Sequence, residues 1–189
     1  MPSPADHPRK VLFSALDPQE VLQVAVLIEE RNAQLYHRFA ELFVEFGDPE
    51  SLQIAGVFWE MAIEERRHGS LLRAKYSELY GGRSCALSEE NLVEFIEVPN
   101  LEDGDLFADE VCALDNPRDR ALQVALKAEA SALHFYSGLA ENRQPGPLRR
   151  IYQELAQMED NHVRYLEEKL EQSFNRNVAL DSLDGNNIH

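Results

Sequence analysis

The chain has 189 residues, with 34 Asp and Glu against 18 Lys and Arg, a formal charge of −16 at neutral pH. Its length suits one compact domain with a sizeable core, and no composition shift divides it, so one domain over 1–175 with a polar tail over 176–189 is expected. Basic residues gather only in short pairs such as Arg66-Arg67 and Arg149-Arg150, which excludes a broad nucleic-acid surface, and no apolar run reaches membrane length.

The opening stretch, Met1-Pro2-Ser3-Pro4-Ala5-Asp6-His7-Pro8, has neither the apolar run nor the cleavage site of a secretory signal, so a cytoplasmic location is expected. The first helix signal is Asp17-Pro18-Gln19-Glu20: an N-cap, a proline at the first helical position, and a Glu placed to close a capping box. That helix is predicted over about 18–46, where Gly47-Asp48-Pro49 stops it, and a second over about 49–79, ending at Gly81-Gly82. Asn116-Pro117-Arg118-Asp119 repeats the start signal and opens a third over about 117–142, until Gln144-Pro145-Gly146-Pro147 breaks it. A fourth follows over about 148–174, and the polar residues beyond it are expected to fray.

The two halves repeat. Leu22-Gln23-Val24-Ala25 recurs as Leu122-Gln123-Val124-Ala125, and in the same frame Glu29 and Tyr36 recur as Glu129 and Tyr136. In the other pair, Val57-Phe58-Trp59-Glu60-Met61-Ala62 lines up with Ile151-Tyr152-Gln153-Glu154-Leu155-Ala156, which brings Glu65 onto Glu159 and His68 onto His162. Each half thus reads as an antiparallel helix hairpin. The stretch 83–115 is too long for a turn and suits a crossover running the length of a bundle, with a short helix expected at Ser88 to Phe95. The fold class is therefore all-α, an antiparallel four-helix bundle with one long crossover between helices 2 and 3.

Residues three apart on a helix share a face, so Glu65 and His68 present a carboxylate and an imidazole to one ion, as do Glu159 and His162. Glu29 and Glu129 interrupt the apolar stripes of the first and third helices, and a carboxylate facing a core is expensive unless paired or ligating a metal. Two single Glu and two Glu-x-x-His pairs meet the count for a two-metal site in a four-helix bundle. Tyr36 and Tyr136 stand seven residues after their Glu, nearly the same face, where a phenol can hydrogen-bond a ligating carboxylate or serve as a core aromatic.

These residues resemble the rubrerythrin group of the ferritin-like superfamily. Phe58-Trp59-Glu60-Met61-Ala62-Ile63-Glu64-Glu65-Arg66-Arg67-His68 is similar to the rubrerythrin second helix, and Glu29 through Tyr36 to its first. The resemblance implies six metal ligands, Glu29, Glu65, His68, Glu129, Glu159 and His162, with Glu65 and Glu159 bridging. Two departures stand out. Cys85 and Cys112 cannot build a rubredoxin-type iron centre and read as reduced thiols in the connection. The extra Glu that rubrerythrins carry three residues from the third-helix ligand is missing, since Leu126 and Ala132 flank Glu129.

Glu60 and Glu154 lie five residues before their bridging Glu, a rotation of about 140° away from the metals, and read as ion pairs on the helix surface. His37 and His134 read as surface or boundary residues, and Trp59 as packing. Carboxylates with imidazoles suit two iron ions per chain; manganese fits the same donors, and zinc can substitute. The expected activity is that of a diiron oxidoreductase reducing peroxide or oxygen with electrons from a separate donor protein or reductase. The alternatives are a ferroxidase that binds or stores iron and a module whose metals are structural. A homodimer is expected, with neither a nucleic-acid nor a membrane partner.

Overall fold

The computed structural model describes residues 17–81, 116–142 and 147–184. They form four helices and no strand: α1 (Pro18–Phe46), α2 (Pro49–Tyr80), α3 (Pro117–Asn142) and α4 (Pro147–Asp184). The expected helix at Ser88 to Phe95, both cysteines, His7 and His189 lie outside the described residues.

Helix starts follow the local chemistry. The Asp17 side chain accepts from the backbone N–H of Gln19 at 2.8 Å and Glu20 at 2.9 Å, and the Glu20 carboxylate accepts from the Asp17 N–H at 2.9 Å, a complete capping box. Asp48 caps α2 through the N–H groups of Glu50 and Ser51 at 3.1 and 3.0 Å. Asn116 caps α3 through the N–H of Asp119 at 3.3 Å. Gly47 and Gly81 close α1 and α2 at φ 70° and 61°, left-handed positions that cost glycine nothing.

α4 continues to Asp184, ten residues past the point where its polar composition suggested fraying. Backbone hydrogen bonding does not depend on side-chain polarity, and no Pro or Gly follows Pro147 before Gly185. The chain also separates into two compact units, Met1–Val98 and Pro99–His189. Each unit holds one helix pair.

In the first unit α1 and α2 run antiparallel: the Gln19 side chain at the start of α1 donates to the Tyr76 hydroxyl near the end of α2 at 2.7 Å. Further along, Tyr36, Phe39 and Phe43 surround Phe58 with ring centroids 6.0, 4.8 and 6.1 Å away. All four rings are fully buried. At Gly69, inside α2, the helices are in contact: an added Cβ would stand 3.4 Å from Glu29 Cβ and 3.9 Å from Glu30 Cγ. In the second unit Leu122, Tyr136, Tyr152, Leu155 and Leu166 are buried with a run of α3 alanines, Ala121, Ala125, Ala128 and Ala132. Leu166 occupies the repeat position of Leu72, and both are 0% exposed.

The core and the cap make unequal contributions. Phe58→Ala should lower unfolding stability by about 3–5 kcal/mol, whereas Asp17→Ala should cost only about 1 kcal/mol; urea denaturation of both variants checks the ranking. At Gly69, alanine fits at van der Waals distance and should be neutral or stabilising by up to about 1 kcal/mol through helix propensity. Valine should instead cost about 1–3 kcal/mol, because its methyl groups press on Glu29. Equal melting curves for Gly69→Ala and Gly69→Val would show that the close approach does not matter.

Candidate metal centre

Each unit carries one buried cluster, and the two have the same construction. In the first unit α1 supplies Glu29 and α2 supplies Glu65 and His68, one turn apart. His68 Nδ1 lies 3.2 Å from Glu29 Oε2 and 3.8 Å from Glu65 Oε1. In the second unit α3 supplies Glu129 and α4 supplies Glu159 and His162. His162 Nδ1 lies 3.2 Å from Glu129 Oε2 and 3.6 Å from Glu159 Oε2. Within either trio the donor atoms lie within 4.8 Å of one another.

Burial gives these distances their meaning. All four carboxylates are 0% exposed, and His68 and His162 are 9% and 7% exposed. A metal-bound imidazole is neutral and metal-bound carboxylates are ionised, so the two carboxylates of a trio would match the charge of one divalent cation. Hard oxygen donors with one imidazole suit iron or manganese. Ligand bonds of roughly 2.0–2.2 Å bring donors around one ion to within about 4.4 Å, so adjustments of a fraction of an ångström complete either trio. The residues fit a metal ion. Both histidines turn Nδ1 to the carboxylates, so the repeat extends from residue type to which ring nitrogen is presented.

Two positions carry a signal that ligand spacing does not. Gly69 follows His68 directly and is buried beside the Glu29 side chain, a glycine within a long helix where it weakens the helix. Asn32, three residues after Glu29, is 3% exposed, a polar residue within the buried face of α1.

The rings of Tyr36 and Tyr136 are fully buried, Tyr36 against Phe58 and Tyr136 against Phe135 with centroids 5.2 Å apart. Glu154 is exposed and accepts from Arg150 at 2.9 Å, the ion pair expected of it, and Glu60 is also exposed. His37 is half-buried, 3.3 Å from Glu41, with Trp59 edge-on at 4.7 Å, and His134 is exposed. Among the described residues no helix is long and apolar enough to cross a membrane.

Residues 20–106 match the Rubrerythrin family model. That span contains Glu29, Tyr36, Glu65 and His68; the second trio lies beyond it and is tied to the first by the internal repeat. No curated protein and no solved structure matches the chain. Residues 20–106 are thus matched to the rubrerythrin family, a ferritin-like diiron fold, and the four helices without a strand among the described residues are consistent with a ferritin-like four-helix bundle.

Proposed function

We propose that the chain is a diiron oxidoreductase that reduces hydrogen peroxide or oxygen with electrons delivered by a separate protein or reductase. The observation that carries this reading is the twofold occurrence of a buried trio of two Glu and one His with matching Nδ1 to carboxylate distances. Glu29, Glu65, His68, Glu129, Glu159 and His162 would form the ligand set, with Glu65 and Glu159 as the carboxylates that would serve both ions. An apolar core would stabilise helix pairs at least as well as buried carboxylates, so a complete donor set points to use.

Two iron ions held there would supply two electrons, the number that takes hydrogen peroxide and two protons to two waters. The protein residues set the conditions for that reaction. Glu29 and Glu129 face the same ring nitrogen, Nδ1, that the imidazoles would offer a metal, and the buried aromatic side chains nearby exclude water. The hydroxyls of Tyr36 and Tyr136, two turns from Glu29 and Glu129, hold ligating carboxylates in place. Electrons come from outside, because the chain's two cysteines lack the spacing of a cysteine-ligated iron centre.

Purified protein should bind about two metal ions per chain. Glu65→Ala or Glu159→Ala should remove most of that binding, because each carboxylate serves both ions; full occupancy in both variants, by metal analysis, would sink the ligand assignment. His68→Ala and His162→Ala should each weaken binding by about tenfold to a hundredfold or more, while His37→Ala should change it little.

Stopped-flow mixing tests the reaction itself. The ferrous protein should be reoxidised faster by hydrogen peroxide than by oxygen, at two electrons per site, and should turn over only with an external reductant. If the chain instead oxidises a large excess of ferrous ion in air and retains the product in a large assembly, the iron-storage alternative replaces this reading.

A further inference from the structure

Asn32 lies on the buried face of α1, 3% exposed, three residues after Glu29 and four before Tyr36. Its amide nitrogen Nδ2 is buried and has no hydrogen-bond partner among the described residues. Burying an amide donor without an acceptor is destabilising. The helix does not require it, because the matching position of α3 is Ala132, which packs at 1% exposure with no polar side-chain atom.

Residues three apart on a helix have Cβ atoms roughly 5–6 Å apart on one face, so the amide stands beside Glu29. Glu29 meets His68 at 3.2 Å and α1 runs antiparallel to α2, which puts the turn carrying Asn32 level with the turn carrying Glu65. A buried donor therefore sits at the edge of a cluster otherwise built from carboxylates and an imidazole, groups that suit a cation. What this cluster lacks is a neutral donor for a small oxygen-containing or anionic ligand.

We propose that Asn32 is a binding residue for such a ligand: its amide N–H donates a hydrogen bond to peroxide, or to an anion of similar size, taken up beside Glu29 and Glu65. The proposal rests on the peroxide-reducing reading of the site and adds a direction to it. The two trios share their ligand types, but the Glu29 trio has a donor one turn away and the Glu129 trio has the methyl group of Ala132. The small ligand is thus held at the first unit's trio.

Azide, a small anion whose binding to ferric iron is read by its charge-transfer absorption, is the probe. It is titrated into the iron-loaded full chain, wild type, Asn32→Leu and Asn32→Ala. Both variants should keep the wild-type iron content, and their azide dissociation constants should rise roughly tenfold. The iron-free Asn32→Leu chain should melt no lower than wild type, because the substitution removes a buried donor without an acceptor and keeps the side chain's branching and heavy-atom count. Azide affinity within about twofold of wild type in both variants, with iron retained, would overturn the role of Asn32 and leave the metal centre intact. A lower melting temperature in iron-free Asn32→Leu would assign the residue to packing and overturn the role as well. A wild-type chain that binds no iron would overturn the site reading and this inference with it.

Discussion

The constraint on which the rest of the structure depends is the burial of two carboxylates and an imidazole in each helix pair. A carboxylate at zero exposure is among the least favourable groups to place in a core, and this chain places four there. Its surroundings are arranged accordingly. The helices are long, with 29 and 32 residues in α1 and α2, so each trio sits several turns from either helix end. Above the first trio Tyr36, Phe39, Phe43 and Phe58 form a dense aromatic layer, and the apolar contacts of that layer offset the cost of the polar one. The whole arrangement balances electrically when each trio holds a divalent cation.

The two helix pairs repeat the trio more faithfully than its surroundings. Leu72 and Leu166 are equivalent and equally buried, and Met61 and Leu155 fill matching places. Around the two trios the pairs diverge: Gly69 answers to Val163, Asn32 to Ala132 and Phe58 to Tyr152. The α1 core is built of Val, Leu, Ile and Phe where α3 uses mainly alanine.

Much of this was legible in the sequence because it is local. Asp17, Asp48 and Asn116 act within three residues of themselves, and the glycines at 47 and 81 mark stops through backbone conformation, so those boundaries hold to within a residue. The spacing of Glu65 to His68 and of Glu159 to His162 is a one-turn relation, and the matching frame of the two halves tied Glu29 and Glu129 to it. The end of α4 was less legible, because polar residues without Pro or Gly neither require a helix nor stop one.

The sequence by itself determined the helix starts, the ligand types and their repetition, because each follows from relations along one helix. Only the tertiary structure decided which atoms meet: that both histidines present Nδ1 at 3.2 Å from a Glu on the neighbouring helix, that Gly69 lies against Glu29, and that the Asn32 amide is buried. It also decided the grouping into two compact units. These depend on how far one helix is rotated and slid along its partner, quantities set by the sum of many packing contacts, and no pattern within a single helix encodes them.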